Sequence, residues 1–151
     1  MVENPQEILA RAVEVEVEGR RLAEISEEEA SRAPSPGRWS RKQILGHLID
    51  SALNNHQRFV RAAIAGQLLF PGYEQDRWVE IQDHAGEGWP ELVALWSHLN
   101  RLLVRVVRQI PPGSLSAECR IGDGRSATLG WLVEDYLRHL EHHLAQIMDP
   151  S

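Results

Sequence analysis

The spacing of apolar residues along the chain predicts four helical segments. The third shows the pattern most clearly, because large apolar side chains recur every three or four positions between Pro90 and Pro111. These positions are Leu92, Trp96, Leu99, Leu103, Val106 and Ile110. A proline suits the first turn of a helix, whereas the pair at Pro111 and Pro112 cannot continue one. We therefore expect the third helix to begin at Pro90 and to stop before Pro111.

Capping residues define the second and fourth predicted helices. Ser40 and Gln43 have the spacing of a capping box, and apolar residues follow with helical periodicity to about Gly66. Thr128 is the expected N-cap of the last helix, which should end near Met148. These two helices would be long enough to pack side by side.

The first segment, residues 5–26, admits two interpretations. Ile8, Ala12 and Val15 lie on a helical stripe, but residues 13–18 alternate between valine and glutamate as a strand would. Periodicity alone does not decide between them. The helix-favouring Glu, Arg and Ala residues around the stretch lead us to predict a helix.

Turn-forming residues mark the connections between these segments. Residues 70–88 are predicted to form a long connection with one short helix near residues 76–82. Gly122-Asp123-Gly124 predicts a tight hairpin between short extended pieces, ahead of the last helix. The expected fold is all-α, with one domain over residues 1–151 and a short hairpin as its only extended element.

Composition narrows the class of protein. The chain of 151 residues is 42% hydrophobic, enough to bury a core without disulfides. Its net charge of -6 argues against binding nucleic acid, which needs a basic surface. Cys119 is the only cysteine, so no intramolecular disulfide can form and a reducing compartment is expected. No apolar run approaches the roughly 20 residues of a membrane span, and no signal sequence is apparent. We expect a cytoplasmic protein without a membrane partner.

Three histidines are the main candidates for chemistry. His139 and His143 are four residues apart in the last predicted helix, so their Cβ atoms should lie about 5 to 6 Å apart, close enough to share one metal ion. His47 lies at the border of the apolar face of the second helix and would complete a three-histidine site if the two helices pack together. Three neutral ligands leave coordination positions open, which is typical of a reactive site. The alternative is that each ring is hydrogen-bonded in or near the core.

The helical wheel distinguishes His142 from its neighbours. His143 falls inside the apolar arc of the last helix and His139 falls at its edge. His142 projects from the polar side with Arg138 and Trp131. We therefore expect His142 to point outward and to take no part in metal binding.

Two segments of the chain resemble the two ends of the DinB/YfiT-like family. They are residues 37–51, GRWSRKQILGHLIDS, and residues 128–147, TLGWLVEDYLRHLEHHLAQI. Residues 71–78, PGYEQDRW, and residues 95–100, LWSHLN, resemble the middle of the same family. The resemblance spans nearly the whole chain, and its histidine patterns are moderately specific when taken together.

This resemblance implies a fold and a site. The fold would be an up-down-down-up four-helix bundle, with a divalent ion held by one histidine of the second helix and two of the fourth. Carried over residue by residue, the ligands are His47, His139 and His143. Known members include thiol-dependent S-transferases and a thiol-dependent isomerase of small organic acids, while many members have no assigned activity.

Our leading hypothesis is a metal-dependent enzyme in which the ion lowers the pKa of a bound thiol or water. A low-molecular-weight thiol is slightly preferred, and the substrate would be a small electrophile held between the ion and residues 70–88. Imidazole ligands suit several metals, of which we favour zinc or nickel over iron, manganese or copper. The competing hypothesis is a non-catalytic metal- or ligand-binding bundle with a role in a stress response. A homodimer is one assembly that either protein could form.

The remaining charged and reactive residues receive structural interpretations. The helical wheel places Asp50 and Asn54 on the polar side of the second helix. Asp50 and Asp135 could orient an imidazole, but we favour solvated surface carboxylates. The arginines of the third helix could attract an anionic substrate, yet a charged run is usually only solvated; they are Arg101, Arg105 and Arg108. Cys119 lacks any local signature of a nucleophile. The histidines without a pairing pattern are taken as structural: His56, His84 and His98.

Overall fold

The computed structural model describes residues 17–149, and most of them are helical. Residues 17–22 are helical, and we call this segment α1. In chain order the further elements are α2 (Glu27–Ser31), α3 (Arg41–Ala65), β1 (Gln67–Phe70), α4 (Gln75–Ile81), α5 (Trp89–Gln109), β2 (Glu118–Ile121), β3 (Ala127–Thr128) and α6 (Leu129–Met148). Single 3₁₀ turns occur at His84–Gly86 and Pro112–Ser116. No helix within residues 17–149 is both long and apolar enough to cross a membrane.

The predicted boundaries of α3 are confirmed by its capping interactions. The Ser40 hydroxyl accepts a hydrogen bond from the Gln43 backbone N–H, and the Gln43 side chain accepts one from the Ser40 N–H. At the other end Gly66 has a φ of 77°, a left-handed conformation that glycine adopts without strain, and its N–H donates to the Ala62 carbonyl. Both ends of the helix are therefore specified by residues at its borders.

The core lies between α3, α5 and α6. Its largest fully buried side chains include Phe59 on α3 and two tryptophans, Trp89 and Trp96, on α5. Tyr136 of α6 packs edge-on against Phe59 at 6.0 Å and donates a hydrogen bond of 2.6 Å to Asn100 of α5. These contacts fix the facing sides of the three helices. Apart from Val104, the buried apolar residues of all three belong to one cluster.

A small three-stranded sheet joins the C-terminal end of α3 to the N-terminal end of α6. The predicted hairpin is present, because β2 and β3 pair antiparallel, with Glu118 opposite Thr128. Its connection, residues 122–126, is longer than the tight turn expected at Gly122-Asp123-Gly124. Strand β1 was not predicted. It pairs parallel to β2, with Gln67 opposite Glu118, although the two strands lie about fifty residues apart in sequence. Cys119 is buried within β2, which suits a structural side chain better than an accessible nucleophile.

The predicted end of the first helix, at Ser26, is wrong. Helix α1 ends at residue 22, and Ser26 is the N-cap of the separate helix α2, where its hydroxyl accepts from the Glu29 N–H. The acidic residues that follow Ser26 favour a helix N-terminus, so the chain begins a new helix there. Residues 17 and 18 are helical, whereas the rest of the alternating stretch lies outside the described residues.

The other predicted elements agree with the structure. The short helix of the connection, expected near residues 76–82, is α4 (Gln75–Ile81). Helix α5 begins at Trp89, one residue before Pro90, and ends at Gln109 ahead of the two prolines. The Thr128 hydroxyl accepts from the Trp131 N–H and caps α6 as expected.

Candidate metal centre

The three histidines singled out by the sequence come together in the structure. His47 lies in the first half of α3, and His139 and His143 lie on successive turns of α6. The Nε2 atom of His139 is 3.1 Å from the Nε2 atom of His47 and 3.1 Å from that of His143. One potential ligand atom from each ring lies within 4.8 Å of the other two. Residues 92 positions apart in sequence thus form one cluster of ring nitrogens.

The surroundings of the cluster keep the rings neutral. Burial, followed by the neighbouring imidazoles, lowers the pKa of His47 to about 4. Burial also lowers the pKa values of His139 and His143 below their usual range. A neutral imidazole has one ring nitrogen with a free lone pair, and that lone pair is what binds a metal.

One side chain fixes the tautomer of His143. The Gln146 Oε1 atom lies 2.8 Å from Nδ1 of His143, and an amide oxygen can only accept, so Nδ1 carries the proton. In the neutral ring Nε2 is then the atom with the lone pair, and it points at the other two histidines. The Gln146 amide nitrogen meanwhile lies 3.4 Å from Nε2 of His142 and donates to it.

The donor set fits a divalent ion. The three Nε2 atoms converge, and the proton of His143 is directed away from them, towards Gln146. Three neutral imidazoles suit zinc, nickel, copper or iron and leave coordination positions for a small molecule. A metal-binding histidine usually donates a hydrogen bond from its other ring nitrogen. His47 differs, because within residues 17–149 its buried Nδ1 atom has no hydrogen-bond partner.

His142 is exposed, as the helical wheel predicts. Its ring contacts that of His143 at a centroid distance of 5.1 Å, but within the described residues the metal-competent cluster contains only the other three histidines. The Nε2 atom of His142 lies 3.4 Å from the Gln146 amide nitrogen, so it faces Gln146 and not the centre of the cluster.

A cleft of about 600 Å³ opens beside His143. Trp39 lines this cleft, and its ring lies 5.3 Å from that of His47. The other lining residues come from the segment before α3, from α3, from the start of α4 and from the end of α6: Pro34, Gly37, Arg38, Ile44, Gln75, Asp76, Gln146 and Asp149. Of the three histidines His143 alone lines the cleft, so a small molecule bound there would reach the cluster through His143.

The prediction that Asp50 is a surface carboxylate is wrong. Its side chain is fully buried, with 0% exposure. Oδ1 accepts a hydrogen bond of 2.8 Å from the Gln82 amide and lies 3.2 Å from His84 Nε2. The helical wheel failed here because the connection before α5 packs over the polar side of α3. Asn54, which the wheel also placed on that polar side, is buried too and donates to the Asp50 carbonyl at 2.9 Å.

Gly46, next to His47, allows this connection to approach α3 closely. A Cβ atom at Gly46 would lie 2.3 Å from Cγ and 2.5 Å from Cβ of His84, which is too close for any real contact. A glycine in the middle of a predicted helix is the sequence signal that could have revealed this approach.

The other lower-ranked residues behave as expected. Asp135 is exposed and forms an ion pair with Arg138 at 3.4 Å. The three arginines of α5, Arg101, Arg105 and Arg108, are exposed, and none of them lines the cleft beside His143. His98 is exposed and His56 is half-buried, whereas His84 is buried against Asp50.

Comparison with known sequences identifies the family. The profile of the DinB superfamily matches residues 19–147, and the chain belongs to that superfamily. A protein of Oceanobacillus iheyensis is 30% identical over 141 residues, covering 85% of this chain and 74% of the relative. A protein of Bacillus mycoides is 23% identical over 128 residues, covering 85% of this chain and 73% of the relative. Both relatives are named as proposed metal-dependent hydrolases.

Comparison with solved structures confirms the predicted four-helix-bundle fold. YfiT from Bacillus subtilis, described as a proposed metal-dependent hydrolase with an unusual four-helix bundle topology, matches with a TM-score of 0.85 at 20% identity. The match covers 96% of this chain and 84% of YfiT. A mycothiol-dependent maleylpyruvate isomerase matches with a TM-score of 0.79 at 16% identity, over 96% of this chain and 61% of the isomerase.

Proposed function

We propose that this protein is a metal-dependent enzyme acting on small molecules, with one divalent ion held by His47, His139 and His143. The observation that carries the proposal is the convergence of the three Nε2 atoms beside an accessible cleft. Zinc or nickel are our first choices for the ion, on the basis of the all-imidazole ligand set.

The protein positions the ligand histidines and shields His47 from water. Gln146 holds His143 in the tautomer that presents Nε2, and Trp39 packs beside His47, which is only 1% exposed. A bound divalent ion lowers the pKa of a coordinated water or thiol and so supplies a nucleophile at neutral pH. The cleft beside His143 would hold the electrophile against that nucleophile.

Hydrolysis, with water as the nucleophile, is the activity we favour. The names of the sequence relatives support it, since the relatives from two genera are described as proposed metal-dependent hydrolases. A thiol-dependent reaction is the second candidate, supported by the structural likeness to a mycothiol-dependent isomerase. In that case the thiol would come from a small molecule, because Cys119 is buried in β2.

The direct test is an assay of metal-loaded protein purified without a histidine tag. The protein should accelerate either the hydrolysis of simple esters and amides or the conjugation of a low-molecular-weight thiol to a small electrophile, with a rate that rises with metal content. His139→Ala should lose most of the rate, and the matched variant His142→Ala should keep it. If every substrate reacts at the rate of the metal-free protein while the ion stays bound, the protein is a metal-binding bundle without this activity.

The ion should not be needed for folding. The apolar residues buried by α3, α5 and α6 form one cluster that does not depend on the three histidines, in contrast to a zinc finger, which lacks a core of its own. We expect chelation to leave the far-ultraviolet circular dichroism spectrum nearly unchanged and to lower the melting temperature only modestly. Loss of the helical spectrum on chelation would contradict this prediction.

A further inference from the structure

Three charged side chains line the cleft beside His143, and they come from three different segments of the chain. Arg38 lies in the segment before α3, Asp76 lies in the first turn of α4, and Asp149 directly follows the last residue of α6. All three residues are exposed. Because they are distant in sequence, it is the fold that brings one positive and two negative groups to the same opening.

The protein leaves these three charges without partners. None of the ion pairs within residues 17–149 includes Arg38, Asp76 or Asp149. The guanidinium and the two carboxylates therefore line one cleft without pairing with one another. A ligand in the cleft could bind to both kinds of charge without first breaking an ion pair of the protein.

Charged residues on the same elements but outside the cleft do have partners. Arg77 of α4 pairs with Glu74 at 3.1 Å, and Arg138 pairs with Asp135 of α6 at 3.4 Å. Arg41, three residues after Arg38, donates to backbone carbonyls of α6 and α2 at 2.9 and 3.1 Å. The cleft therefore differs from its immediate surroundings in keeping charges of both signs available.

The remaining wall of the cleft suits an apolar body. Trp39 and Ile44 line it, and both are half-buried. Sites for small molecules typically have volumes of roughly 300 to 1,000 Å³ and combine an apolar lining with a few charged groups that orient the ligand. The cleft, at about 600 Å³, has this composition.

We propose that the cleft binds small zwitterions, and that short peptides with a free amine and a free carboxylate are the substrate class of the three-histidine site. The planar guanidinium of Arg38 binds the carboxylate, and Asp76 and Asp149 bind the ammonium group. A simple anion would meet two unpaired carboxylates here, and a simple cation would meet the unpaired guanidinium, so a compound with both charges is the best match. This inference rests on the proposed function and deepens it, since a peptide bond is an amide that a hydrolase can cleave.

Metal-free protein is the sample for the test, because binding is then measured without turnover. Three probes share one scaffold: dialanine, N-acetyl-dialanine, which lacks the ammonium group, and dialanine amide, which lacks the carboxylate. Each is titrated into ¹⁵N-labelled protein, and the indole N–H resonance of Trp39, identified by its absence in Trp39→Phe, reports binding in the cleft. We expect dialanine to bind about fivefold more tightly than either derivative, which is the upper range for an exposed ion pair.

Substitutions in the cleft should change the preference between probes and not only the affinity. Arg38→Gln should weaken dialanine by about fivefold and leave dialanine amide unchanged. The double variant Asp76→Asn with Asp149→Asn should weaken dialanine and its amide but not N-acetyl-dialanine. A purely structural role of these residues would weaken all three probes together.

The matched controls are Arg77→Gln and Asp135→Asn, which remove exposed charges on α4 and α6 that do not line the cleft. Each should change the affinity for dialanine by less than about twofold. Far-ultraviolet spectra show whether each variant is folded.

Three results would overturn the inference: no shift of the Trp39 resonance by dialanine, equal affinities for the three probes, or equal losses in the cleft variants and the controls. Metal content is measured on the same preparations. Protein that binds the ion but does not prefer dialanine keeps the proposed metal centre and loses peptides as its substrates. Protein that prefers dialanine through Arg38 but takes up no ion keeps a zwitterion site and loses the proposed enzyme.

Discussion

Replacing His143 by alanine should abolish metal binding by the purified protein. The wild type is expected to hold about one divalent ion per chain, and removal of one imidazole from a three-ligand site leaves only two donors. Even changes to residues that merely orient a ligand weaken metal binding by roughly 10- to 100-fold, so the loss of a ligand should exceed that range. Elemental analysis and competition with a chromogenic chelator measure the stoichiometry and the affinity.

His142→Ala is the control for this result, because it removes a neighbouring imidazole of the same helix that is not one of the three candidate ligands. His142 is exposed, and its ring nitrogen faces Gln146. The variant should keep the ion, with an affinity close to that of the wild type. If both variants lose the ion equally, the ligand pair on α6 has been assigned wrongly.

Gly46→Ala should destabilise the fold even though alanine is the better helix former. A Cβ atom at this position would lie 2.3 to 2.5 Å from three atoms of His84, so the 3₁₀ turn at His84–Gly86 would have to move off α3. Overpacking costs about 1 to 3 kcal/mol, and contacts of 2.3 to 2.5 Å that include the His84 Cβ atom favour the upper end of that range. The cost then exceeds the roughly 1 kcal/mol gained in helix propensity. Urea denaturation should show a lower free energy of unfolding.

Gly72→Ala is the matched control within the same connection. A Cβ atom at Gly72 meets no other atom within 4 Å, so the free energy of unfolding should change little. In a His84→Ala background, Gly46→Ala should cost less than it does in the wild type, because two of the three His84 atoms that it meets belong to the ring, while the Cβ atom at 2.5 Å remains. An unchanged or higher stability of the Gly46→Ala single variant would mean that His84 does not lie against α3.

Local signals in the sequence accounted for most of the helical fold. The capping box at Ser40 and the cap at Thr128 are readable because they involve residues within three positions of one another. The spacing of His139 and His143 is local in the same way. Strand β1 was missed because its partner, β2, is distant in sequence, and four residues that pair in parallel leave no local periodicity.

The candidate metal site was predicted only in part, because local patterns do not show contacts between segments that are distant in sequence. No spacing rule links His47 to α6, and family resemblance supplied that ligand. The helical wheel also misplaced Asp50, because it describes one helix and not the segment that packs over it.

The small sheet is directly connected to α3 and α6, the two helices that carry the three histidines. Strand β1 begins two residues after α3 ends, and β3 runs directly into α6, so the strand register sets how far the two ligand-bearing helices slide past each other. The residues that would meet a substrate come largely from other segments, namely the chain before α3 and the connection between β1 and α5. Relatives with different sequences in these segments could therefore bind different compounds, while the sheet keeps the three imidazoles in place.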